Sequence, residues 1–79
     1  MTELQQRVIR IVGSIMAVPA ESLSLDSSAD ALESWDSMRH MSLVLALEQE
    51  FGVSFDDEQV LSMLSVRRIA EVLSVATAS

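Results

Sequence analysis

The residues of this 79-residue chain with the means to do chemistry gather at one place, Asp36-Ser37, with His40 three residues further on. A serine nucleophile needs an adjacent base that a third group orients. His40 is the only histidine in the chain. On a helix turning about 100° per residue it points roughly 60° around from Ser37, with no evident room for an oxyanion hole beside it. A self-acting hydrolase built on Ser37 and His40 is therefore set aside, and the chain reads as a non-enzyme. What remains is a serine hydroxyl at a helix start, reachable by another enzyme. Asp-Ser at such a start is ordinary capping when taken alone, so any weight it carries must come from its surroundings.

Composition narrows the surroundings. The chain carries 12 acidic and 5 basic residues, a formal net charge of −7, and no cysteine. Disulfide scaffolds and thiolate metal sites are excluded, and a single histidine makes a His-based metal site a poor reading. All five basic residues are arginines, too few and too scattered to follow a phosphate backbone, so nucleic acid is not an expected partner. Hydrophobic residues make up 49% of the chain, yet no apolar run approaches the ~20 residues a membrane span requires. The start, MTELQQRVIRIVG, lacks the pattern of a signal peptide. The expectation is one cytoplasmic, monomeric domain over residues 1–79. At this length only ~60–65% of the unfolded surface is buried, which leaves no room for a deep catalytic cleft. Residues 11–66 hold ten acids against Arg39 alone, and this bias reads either as a solvated face or as a docking surface that steers basic partners.

The elements that must position Ser37 are helices. Leu4, Val8, Ile11, Val12 and Ile15 form one apolar stripe, with Thr2 and Gln5 spaced as a capping box. Pro19 ends that helix near Met16 or Ala17. Residues 18–36 lack periodicity and read as a long ordered loop, pinned by Leu23, Leu25, Leu32 and Trp35, with Asp30 able to cap a short turn. Asp36 then caps a second helix running to Phe51, and Gly52 closes it. Asp56 or Asp57 starts a short third helix bearing Val60, Leu61 and Leu64. Ser65 caps a fourth, with Val66, Ile69, Val72 and Leu73 as its buried face. The fold class is all-α: a four-helix bundle with a short third helix and a long loop between the first two. Gly13 has no evident reason in the sequence.

The second helix carries more apolar surface than one buried face needs. Leu43, Val44, Leu47 and Phe51 cluster on one side; Met38, Met41 and Leu45 lie nearly opposite, bordered by Ser42, Glu48 and Gln49. The second stripe is either additional core or a recognition surface, and flexible methionines suit a surface that accepts several partners.

Trp35-Asp36-Ser37-Met38, followed by ALEQEFGVSFDDEQV, resembles the acyl carrier protein family. In that family an Asp-Ser-Leu motif opens the second helix, and an acidic, apolar stretch ending in Phe-Gly closes it. The order of elements, the acidity and the length agree from about Thr2 to Val75. The resemblance implies that Ser37 is the attachment site of phosphopantetheine, transferred from coenzyme A by a separate phosphopantetheinyl transferase, with Asp36 as the acid preceding it. Met38 stands in the position usually held by leucine. Met38, Met41, Leu45 and Glu48 match partner-facing positions, while Leu43, Leu47 and Phe51 match core positions. The implied function is to carry acyl or aminoacyl thioesters between acyl-loading and acyl-processing enzymes. A tether of this kind raises effective concentration, and an acidic docking surface gives weak contacts that release readily.

The chain also departs from the family. Carriers of primary fatty acid synthesis resemble Gly-Ala-Asp-Ser-Leu-Asp, whereas this chain reads Ser34-Trp35-Asp36-Ser37-Met38-Arg39. Arg39 reverses a charge on the first turn, which makes it a candidate for partner selectivity. The form looks more like discrete carriers of specialised polyketide or related pathways. Two alternatives stay open: an aminoacyl, peptidyl or D-alanyl carrier, and a small acidic helical adaptor that binds partners through the second helix without a prosthetic group.

Overall fold

Capping and periodicity produce four helices in the order α1 (Glu3–Met16), α2 (Ser37–Phe51), α3 (Asp57–Ser62) and α4 (Val66–Ala76), with one 3₁₀ turn at Ala20–Ser22. The computed structural model describes residues 1–77. All four helix starts are closed by the side chain of the preceding residue: Thr2, Asp36, Asp56 and Ser65 each accept from a backbone N–H in the first turn. Thr2 with Gln5 and Asp56 with Gln59 form complete capping boxes, which satisfy two orphan donors apiece. Helix α1 ends at Ala17 with a left-handed φ of 60°, two residues before the proline that prevents its continuation. Helix α2 ends on Gly52 at φ 64°, the conformation that favours glycine there.

The core is one layer of side chains where α1 packs on both α2 and α4. Val8, Val12, Leu43, Leu47, Met63, Val66, Ile69 and Leu73 have no exposed surface. The expected α1 stripe is rotated by part of a turn. Val8 and Val12 are its centre and Ile9 and Met16 join them, while Leu4, Ile11 and Ile15 are only partly buried. Gly13 finds its reason here. A β-carbon at this position would come within 3.0 Å of the Val18 carbonyl oxygen and 3.5 Å of Ala20 Cα, so the chain leaving α1 lies directly over it.

The loop between α1 and α2 is ordered by more than its apolar pins. Leu23 and Trp35 are buried as expected, and Leu25 and Leu32 are partly buried. The short turn before α2 is closed by the Ser28 carbonyl, which accepts from Ala31 and Leu32, rather than by Asp30. In addition, Ser28 pairs with Ser65 as an antiparallel bridge, through Ala29 N–H to Leu64 O (2.9 Å) and Val66 N–H to Ser27 O (3.0 Å). Backbone groups that would otherwise lack partners are thereby satisfied, and the loop is fixed to the junction of α3 and α4. Among the described residues, no helix is long and apolar enough to cross a membrane.

Helix α3 ends before Leu64, which was expected on it. Leu61 is exposed, and Leu64 falls beyond the helix end and is also exposed. Met63, which the periodicity did not single out, is the fully buried anchor of this segment. Six residues make fewer than two turns, so one face can bury little. Met63→Ala should cost about 2–5 kcal/mol through the cavity it leaves, whereas Leu61→Ala should stay within about 0.5 kcal/mol of wild type. Urea unfolding followed by the fluorescence of the single tryptophan measures both.

Candidate functional site

Ser37 is the first residue of α2, and its side chain is exposed. Asp36 holds the turn before it. Its Oδ1 accepts from Arg39 N–H at 2.9 Å, and its carbonyl accepts from His40 N–H at 2.8 Å. The carboxylate is thus committed to the cap, and Ser37 is presented at the positive end of the α2 dipole, where a phosphate ester is favoured. Among the described residues there is no group of His, Cys, Asp and Glu arranged to hold a metal.

His40 does not serve Ser37. Trp35 Nε1 donates to His40 Nδ1 at 3.0 Å, and His40 Nε2 lies 2.8 Å from the Val60 carbonyl oxygen. Both ring nitrogens are engaged on the core side, with the Trp35 and His40 rings stacked at a centroid distance of 6.3 Å. With both nitrogens so engaged, neither is placed to take the Ser37 proton.

The two faces of α2 separate as their spacing predicts. Leu43, Val44 and Leu47 are buried, and Phe51 is partly buried at the end of the same stripe. Opposite, Met38 is 82% exposed, Met41 52% and Leu45 56%. Exposed Leu61 and Leu64 border this region across a cleft of about 350 Å³ that opens beside Ser37 and is also lined by Trp35, His40 and Met41. Sequence reasoning missed the part played by Leu61 and Leu64. The available signal was a helix too short to bury every leucine in its neighbourhood.

Two residues of the expected partner surface are held elsewhere. Glu48 is half-buried, and its Oε2 accepts from Phe55 N–H at 2.9 Å, so it organises the turn into α3 instead of joining the exposed stripe. Arg39 remains exposed but reaches back, donating from Nη1 to the Ile15 carbonyl at 3.2 Å. Helix α1 has no basic residue in its own last turn, and Arg39 supplies the cation that its C-terminal carbonyls favour. The outward stripe of α2 is consequently Met38, Met41, Ser42, Leu45 and Gln49, all uncharged. Three of the four arginines near the chain ends pair with acids at the surface: Arg7 with Glu50 (3.2 Å), Arg67 with Asp26 (3.0 Å) and Arg68 with Glu71 (3.7 Å). Arg7 also lies 4.3 Å over the Phe51 ring, which clips α1 to the end of α2.

Known proteins are similar to this chain in sequence. The family described as "Phosphopantetheine attachment site" matches residues 6–73. The chain is 33% identical over 73 residues to the acyl carrier protein of Petrotoga mobilis, covering 91% of this chain and 85% of that one. It is 33% identical over 78 residues to the acyl carrier protein AcpP of Rhizobium meliloti, covering 99% and 100% respectively. With the acyl carrier protein of Thermosynechococcus vestitus the identity is 27% over 73 residues, covering 92% and 90%.

The stripe and Glu48 should answer mutation differently. Met38→Ala, Met41→Ala and Leu45→Ala should each change stability by well under about 1 kcal/mol. Glu48→Ala should cost about 1–2 kcal/mol, because it leaves the Phe55 N–H without its acceptor. Thermal unfolding by circular dichroism separates the two classes.

Proposed function

The chain belongs to the acyl carrier protein family, and on that premise we propose that Ser37 is the residue that bears its phosphopantetheine. Members are carriers and not enzymes, and the group, once attached, supplies a thiol to which acyl units are joined as thioesters. The observation that carries the assignment is the position of Ser37: an exposed hydroxyl at the first turn of α2, with the neighbouring carboxylate turned away into the cap. The chain supplies only the acceptor oxygen. The base that takes the Ser37 proton and the metal that steadies the phosphates belong to the phosphopantetheinyl transferase.

The residues around Ser37 fit such a group. The helix start favours the phosphate ester electrostatically, and the adjoining cleft is walled by apolar side chains. Partner enzymes dock on Met38, Met41 and Leu45, which are exposed without cost to the core. The partners are those that load and process the acyl unit, and the carrier works as a cytoplasmic monomer.

The finer reading is a discrete carrier of a specialised polyketide or related pathway. It rests on the Trp35-Asp36-Ser37-Met38-Arg39 sequence and on an outward α2 stripe without a carboxylate. A partner that grips acidic residues on the second helix finds none free on that stripe.

Incubation with coenzyme A and a promiscuous phosphopantetheinyl transferase, followed by intact mass, tests the assignment. Wild type should gain one phosphopantetheine and Ser37→Ala none. Modification that persists in Ser37→Ala would move the site elsewhere, and a wild type left unmodified beside a modified control carrier would favour the adaptor. Met41→Ala or Leu45→Ala should slow the modification several-fold while leaving the melting temperature nearly unchanged, as expected for anchors at the centre of a docking surface.

A further inference from the structure

The five methionines of the chain fall into two environments. Met16 and Met63 are sealed in the core, at 1% and 0% exposure. Met38 and Met41 stand on the outward stripe of α2 at 82% and 52%, and Met1, at the chain start, is 66% exposed. The chain has no cysteine to take an oxidant first, and its one tryptophan is buried. A thioether in water is open to peroxide, whereas one in a packed core is reached only through local opening. The fold therefore leaves two oxidisable sulfurs directly beside Ser37, on the face of α2 turned away from the core.

We propose that Met38 and Met41 are sites of reversible sulfoxidation, and that the modification turns the outward stripe of α2 from apolar to polar while the bundle stays folded. The oxidant is hydrogen peroxide or an organic hydroperoxide. The methionine sulfur attacks its terminal oxygen, and the O–O bond breaks as the S–O bond forms. The remaining oxygen leaves as water or as the alcohol, and sulfur has given up two electrons. A thiol-dependent reductase for each sulfoxide epimer reverses the step. The oxygen then departs as water while two thiols become a disulfide.

The stripe is sensitive to this change because it carries no charge of its own. Met38, Met41 and Leu45 supply its apolar area, and Ser42 and Gln49 its polar groups. Met41 also lines the cleft beside Ser37 with Trp35, Leu61 and Leu64, so an S=O group there enters a largely apolar wall. The core does not depend on either sulfur, since Met38 lies nearly opposite Leu47 around the helix and both methionines face solvent. A flexible apolar side chain suited to varied contacts is thereby exchanged for a polar one. Sulfoxidation stands on exposure and sulfur chemistry; its bearing on docking rests on the reading that partner enzymes dock on this stripe.

The test exposes the whole unmodified chain to hydrogen peroxide and follows each methionine by peptide mass. Met38 and Met41 should each gain one oxygen, with Met16 and Met63 at least about tenfold slower. The melting temperature should stay nearly unchanged, and retention on a hydrophobic-interaction column should fall. Both epimer-specific reductases together should restore it. In Met38→Leu/Met41→Leu, a near volume-conserving exchange, Met1 still oxidises, yet peroxide should leave the variant's own retention in place. Equal oxidation of buried and exposed methionines, unchanged wild-type retention, or an equal fall in the double variant would each overturn the proposal. Phosphopantetheine transfer to Ser37 should slow several-fold after peroxide and recover on reduction. Transfer that is indifferent to oxidation of Met38 and Met41 would overturn the consequence for docking. A chain that takes no phosphopantetheine before peroxide would be a failure of the Ser37 assignment, and the oxygen map and retention still decide the sulfoxidation.

Discussion

A bundle of this size has one core, and α2 is the helix on which that limit tells. Three longer helices meet along the line where α1 touches α2 and α4, and the side chains on that line are sealed from water. Leu43, Val44 and Leu47 occupy the share of the line that α2 can reach. Among the described residues no further helix covers the methionines and leucine on its other side. Their exposure follows from helix periodicity, which turns them away from that line. A stripe of flexible apolar side chains on the helix that presents Ser37 is what a protein handed between several enzymes needs.

The same shortage of material shapes α3. A helix of six residues cannot hold itself in place by a packed face. Besides Val60, packed against the core, it is fixed by its surroundings: a buried Met63, a carboxylate on the Phe55 N–H, a two-bond bridge to the loop, and the His40 contact with Val60. Segments secured in this way sit at the low end of local stability. The cleft beside Ser37 lies between this lightly held helix and α2, so one of its walls is among the easier parts of the fold to move.

Charge behaves differently in space than along the chain. The middle of the sequence is acidic, yet its acids are not gathered on the outward stripe of α2. Asp36 is a cap, Glu48 binds a backbone amide, and Glu50 and Asp26 pair with arginines from the ends of the chain. Exposed pairs of this kind contribute little to stability, but they do neutralise surface that the composition alone would count as acidic. Arg39, the one cation in that stretch, closes the C-terminus of α1. The outward stripe of α2 left over is apolar.

Much of this was legible in the residues themselves. Caps at Thr2, Asp36, Asp56 and Ser65, the stops at Pro19 and Gly52, and the two stripes of α2 are local or periodic features, decided by hydrogen bonds and angles within a few residues of sequence. Ser37 at a helix start and the family resemblance around it are of the same kind. The positions of Arg39, Glu48, Gly13, Met63 and His40 are not, because each depends on an atom far along the chain: the Ile15 carbonyl, the Phe55 amide, the Val18 carbonyl, the shared core, and Val60 with Trp35. No pattern within one helix specifies which distant atom will lie opposite a side chain. The sequence by itself determined where the helices begin, which faces are apolar and which serine is presented. Only the tertiary structure decided which charged residues remain free to meet a partner and what holds the wall beside that serine, since those outcomes are set by contacts that exist only once the helices have packed.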